Sequence, residues 1–158
     1  VRRAVLGVIL LLLLLPAPAA AQEPTPFRWD AREVIPKRIS DVAVGVVVGL
    51  DVWTAFRAED HRERWAFVCR NLITLGVTEV TKRTVHRTRP NRSDRLSFPS
   101  GHAGIGAAAA SSPLTASLAL TVSWGRQAGG MHFGSDVGVG ASLGVFSRWV
   151  CPKIVGGP

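Results

Sequence analysis

Apolar positions fall into two kinds of block. From Ala4 to Leu15 they run unbroken for twelve residues, with six leucines in succession. Beyond residue 37 they come in stretches of helical length, separated by Pro, Gly and short polar residues. Val42, Val46, Val47 and Leu50 share one side of a helix that Ser40 or Asp41 would cap and that would run to about Phe56. A second helix is expected from His61 to about Thr88, stopped by Pro90. Residues 89–99 read as a polar, basic loop. A third helix is expected from Ser100 to Ala110, with Ser111-Ser112-Pro113 breaking it, and a fourth from Leu114 to about Trp124. Gly125 to Gly130 reads as a flexible connection, and a last helix holds His132 or begins soon after it and runs to about Val150. Short strands are conceivable at 42–49, but no turn signal pairs them. The pattern predicts an all-α chain, a compact bundle of about five helices.

The first block is an export signal by its layout. Arg2 and Arg3 precede the apolar run, Pro16 ends it, and Ala19-Ala20-Ala21 offers a cleavage site before Gln22. Twelve residues fall short of the roughly 20 needed to span a bilayer. The domain reading is therefore a signal peptide at 1–21, a Pro-rich arm at 22–37 and one helical domain at 38–158. Export places the domain in the periplasm or on the periplasmic side of the inner membrane. None of the later helices reads as a span: Val42–Leu50 is nine residues between Asp41 and Asp51, and Pro113 interrupts the uncharged stretch 103–124. The expectation is a bundle that is soluble or rests on a membrane surface.

The chain's 158 residues suffice for one domain. Its formal charge of +8 falls to +6 when Arg2 and Arg3 leave with the signal. Such a balance suits acidic partners such as phosphate esters or anionic headgroups. Nucleic acid is not expected, because tyrosine is absent and aromatic and basic residues do not interleave. Cys69 and Cys151 are too few for a zinc site, and the sequence leaves a disulfide and two free thiols equally open.

Three clusters carry the candidate chemistry. Lys82 and Arg89 are seven residues apart, so one helix face would present a point charge and a planar fork to a phosphoryl group. In Pro99-Ser100-Gly101-His102, Ser100 is a good N-cap, and the amides of a new helix N-terminus bind anions. In the third cluster Arg126 precedes His132, and Asp136 follows one helical turn after it. A carboxylate there would accept from one imidazole nitrogen and leave the other unprotonated.

Taken in order, K-x6-R-P, P-S-G-H and R-x5-H-x3-D resemble the three-part signature of the type-2 phosphatidic acid phosphatases, shared with class A acid phosphatases and vanadium haloperoxidases. The resemblance covers Lys82 to Asp136. It implies that Lys82, Arg89, Arg126, Ser100 and the Gly101 N–H hold phosphate. By the same resemblance His132 attacks phosphorus, Asp136 orients it, and His102 is general acid and then base, with no metal or other cofactor. Expected substrates are phosphorylated lipids or small phosphate esters. Two features depart from the pattern. Gly125 stands where serine usually precedes the arginine, and only 23 residues separate His102 from Arg126. The short interval favours a compact or peripheral protein over an integral one. The competing readings are a vanadate-dependent haloperoxidase and a non-catalytic basic protein at the membrane surface. Oligomeric state leaves no mark on the sequence.

Overall fold

The computed structural model describes residues 31–156. The signal at 1–21, its cleavage site and arm residues 22–30 lie outside the described residues. Five helices follow one another: α1 (Ala31–Arg57), α2 (His61–Val85), α3 (Gly101–Ala109), α4 (Pro113–Ala128) and α5 (Gly134–Gly156). Among the described residues there is no strand, so the all-α expectation holds.

Boundaries follow local chemistry. Asp60 caps α2 by accepting from the Arg62 amide, and Ser100 caps α3 by accepting from Ala103. Ser112 and Thr115 form a capping box on α4, with Pro113 in the first turn. Three expectations are corrected. Residues 31–37 belong to α1, which accommodates Pro36, rather than to an arm. Ser40 and Asp41 therefore sit inside α1: Ser40 is fully buried and donates to the Val122 carbonyl at 3.0 Å. α2 ends at Val85 because His86 turns left-handed (φ 49°), before Pro90 can act. The third correction concerns Gly125. It lies within α4 rather than in a connection, and α1 crosses there so closely that a Cβ would come 2.5 Å from the Pro36 carbonyl oxygen and 2.7 Å from Ser40 Cβ.

α3 is the central strut. Gly101, Ala103, Gly104, Gly106 and Ala107–Ala109 are all buried, and their small size lets the other helices close around them. α5 lies against α3 backbone to backbone, since a Cβ on Gly140 or Gly144 would overlap the carbonyl oxygen of Ser100 or Gly104. A disulfide between Cys69 and Cys151 ties α2 to α5. Within the bundle Asp51 pairs with Arg70, and Arg148 donates to the Ala108 carbonyl. The first residues of α3 and α5, the first half of α1 and the last turns of α2 and α4 gather at one end.

Outer faces of the bundle are apolar. Val42, Val46 and Phe56 of α1, Leu72 and Val80 of α2, Leu114 and Leu120 of α4, and Val145 of α5 are all exposed. Exposed Trp53, Trp65 and Trp149 stand toward the opposite end, with Arg57 over Trp53 and Lys153 over Trp149. Among the described residues one helix, α1, is long and apolar enough to cross a membrane by length and composition. Its apolar stretch does not stop at Asp51, whose charge is buried against Arg70, so it outruns the nine residues apparent in sequence.

Candidate active site

Lys82 is delivered by the last turn of α2, and Arg89 follows in the loop rather than on the same helix face. Arg89 is nonetheless fixed. Its Nε donates to Asp94 at 2.7 Å and its Nη1 to the Met131 carbonyl at 3.1 Å. The same Nη1 faces His132 Nε2 at 3.5 Å. Lys82 Nζ lies beside Gly101, 3.8 Å from where a Cβ there would be. Burial, opposed by Glu79, lowers the Lys82 pKa.

Ser100 is fully buried, and its amide donates to the Asp136 carbonyl at 2.9 Å, joining the start of α3 to that of α5. Gly101 and His102 occupy the first turn of α3, where amides have no partner within the helix. Arg126 reaches the same end from the last turn of α4, despite the short interval from His102. Its side chain is 4% exposed, its Nη2 donates to Asp41 at 2.6 Å, and its buried Nε makes no hydrogen bond.

His132 lies two residues before α5. Its Nδ1 is 2.5 Å from the Ser97 carbonyl oxygen, an atom that only accepts, so in the neutral ring Nδ1 carries the proton. Nε2 is then a lone pair facing Arg89. Burial first, then the Arg89 charge, pulls the His132 pKa down to about 3, which keeps the ring neutral. Asp136 does not take the expected place against the imidazole, because its Oδ2 is 3.9 Å from Nδ1, beyond hydrogen-bond reach. Instead Asp136, fully buried, accepts from Ser97 Oγ (2.5 Å), the Phe133 amide (2.9 Å) and Arg87 (2.5 Å). It acts on His132 through the Ser97 segment. Arg87 also lies over the Phe133 ring at 4.3 Å.

His102 is more open. Burial, then Arg126, with Lys82 and Arg89 adding less, lowers its pKa to about 4, and Asp41 opposes them. Its Nε2 is 3.6 Å from Asp41 Oδ1. The sequence-derived residues thus gather at one end, with Lys82, Arg126 and His102 on helix termini and Arg89 and His132 on the connecting segments. Ser97, Arg87 and Asp41 join them with no motif position of their own. Among the described residues no group of three His, Cys, Asp or Glu side chains is arranged to hold a metal ion.

The arrangement is an all-helical bundle with three cationic side chains and two histidines gathered at one end. No family model matches the chain, and no curated protein or solved structure matches it either.

Proposed function

We propose that the chain is a phosphatase of the type-2 phosphatidic acid phosphatase kind, hydrolysing phosphate monoesters or pyrophosphates borne by lipids, without a metal, through a phosphohistidine. The observation that carries the reading is the convergence of Lys82, Arg89, Arg126, His102 and His132, from separate elements, on one end of the bundle. The ordered resemblance of the three motifs supports it.

In this reading the phosphoryl oxygens lie among Lys82, Arg89, Arg126 and the first-turn amides of α3. His132 Nε2 attacks phosphorus and the bond to the ester oxygen breaks. That oxygen takes a proton from His102 and leaves as an alcohol. His102 then removes a proton from water, whose oxygen attacks phosphorus, and the P–N bond breaks to return His132 and inorganic phosphate. His102 is neutral at rest because burial first, and then the surrounding cations, disfavour its charged form. A bound phosphate dianion cancels much of that field and lets the ring hold the proton it must donate.

A lipid substrate is favoured by the apolar flanks. A groove of about 410 Å³ between α1 and α4 is lined by Ile39, Val42, Ala43, Val46, Leu118 and Thr121, with Arg38 at its edge. It starts within a turn of Asp41, as an acyl chain attached to a phosphate held there would require. Exposed tryptophans toward the far end, two of them topped by Arg57 and Lys153, suit a lipid interface. The disulfide fits an exported, oxidising location. Release of phosphate from phosphatidate in detergent, undiminished by EDTA and blocked by vanadate, is the expected result. Loss in chelator with rescue by a divalent cation overturns the reading.

A further inference from the structure

Asp41 carries no motif position, yet two groups of the site meet on one of its oxygens. Oδ1 accepts from Arg126 Nη2 at 2.6 Å and faces His102 Nε2 at 3.6 Å, while Oδ2 accepts from Lys37 at 3.2 Å. Its placement is built into the packing. Ser40, the preceding residue, is bonded to the Val122 carbonyl, and Gly125, the residue before Arg126, is pressed against Pro36 and Ser40. The α1–α4 contact that leaves no room for a side chain at 125 is the one that seats Asp41 beside Arg126.

We propose that Asp41 is a positioning residue for His102: one carboxylate oxygen is bonded to the Arg126 guanidinium and stands 3.6 Å from the imidazole, so that its charge lets His102 carry the leaving group's proton. The proposal rests on the phosphatase reading for the proton's destination but not for the contact itself. The charges acting on His102 come from Arg126 on α4, Lys82 on α2, Arg89 in the following loop and Asp41 on α1. Three of the four drive a proton off the ring. Asp41 alone favours it, with Lys37 paired to its other oxygen. Once substrate phosphate balances the three cations, burial still opposes the proton on His102 and Asp41 is the charge that works against it. In the water step it stabilises the imidazolium that forms.

Asp41→Asn keeps the shape and removes the charge. NMR titration of the His102 ring, assigned with His102→Gln, is followed with and without inorganic phosphate. The His102 pKa should fall by about one pH unit in Asp41→Asn under both conditions, the scale of an opposite charge at this range. An unmoved pKa overturns the proposal, whether or not the protein hydrolyses any ester. For turnover, the alkaline limb of kcat on an alkyl phosphate should move down by about one pH unit, and kcat at neutral pH should fall about tenfold. With an aryl phosphate, whose leaving group needs no acid, labelling of His132 should keep its rate in Asp41→Asn while hydrolysis of the phosphohistidine slows. Asp41→Glu should restore the limb. Equal loss in the labelling step on both esters with the limb unmoved would mean a merely structural role. A lower KM with the limb unmoved would mean that Asp41 only competes for Arg126. Either result overturns the proposal. No turnover of any ester by the native chain would remove the phosphatase reading and leave the titration to decide the contact.

Discussion

Asp136→Asn separates a carboxylate that touches the nucleophile from one that acts through a neighbour. Asp136 is fully buried and accepts three hydrogen bonds, from Arg87, Ser97 Oγ and the Phe133 amide. An asparagine retains one acceptor oxygen, so either the Phe133 amide or the Arg87 guanidinium meets an NH₂ group. The Ser97 hydroxyl can rotate to accept, and Arg87, partly exposed, can turn to solvent. The stability loss should be about 2–4 kcal/mol, that of a buried acceptor with a charged partner. The rate is more telling. Were Asp136 bonded to His132, amidation would favour the wrong tautomer and cost about 10⁴-fold in kcat. With Nδ1–H taken by the Ser97 carbonyl, the tautomer survives, and the loss should be about 10–10²-fold, that of an outer hydrogen-bond partner. Urea unfolding and kcat on an aryl phosphate measure the two effects. A loss near 10⁴-fold in a folded variant would refute the Ser97 relay.

Gly125→Ser, which restores the residue usual in the resembled motif, should destabilise by about 1–3 kcal/mol in urea unfolding, because its Cβ meets α1 backbone; a neutral result would contradict the close packing. Cys69→Ser with Cys151→Ser should lower stability by up to about 4–5 kcal/mol, since the bridge closes a loop of sequence separation 82. Intact-mass analysis of the native chain with and without reductant should show the bridge as a mass lower by two hydrogen atoms. Stability should also depend on acid. The unfolded chain protonates His132 near pH 6.5 and the folded one only near 3, so stability is full above about 6.5 and declines as pH falls toward 3. His132→Gln should flatten that part of the pH profile, and an unchanged slope would contradict the burial of a neutral ring.

Helix number and most breaks were legible because caps and prolines act locally: Ser100, Ser112 and Pro113 stop or start helices wherever they stand. What was missed depended on distant partners. Pro36 reads as arm chemistry until α4 packs over it, and the glycines near 125–130 read as a hinge although Gly125 marks a helix crossing. His86 adopts a left-handed cap that no residue-type preference signals strongly. At the site, spacing located both histidines and the three cations. It misassigned the direct partner of His132, because His132 lies before α5 rather than on it and the Ser97 carbonyl lies nearer than the Asp136 carboxylate. A backbone carbonyl has no sequence signature. Asp41 read as a cap since its partners, Arg126 and His102, lie far along the chain.

The most direct test of the account is rapid-quench labelling with a ³²P-phosphate ester, followed by mapping of the labelled residue. The native chain should show an acid-labile, alkali-stable phosphohistidine at His132, absent from His132→Ala. In His102→Ala, an aryl phosphate should label His132 quickly and then stall, since water activation is lost. Label that survives in His132→Ala and disappears in His102→Ala would contradict the assignment, and turnover without any labelled histidine would contradict the phosphohistidine mechanism itself.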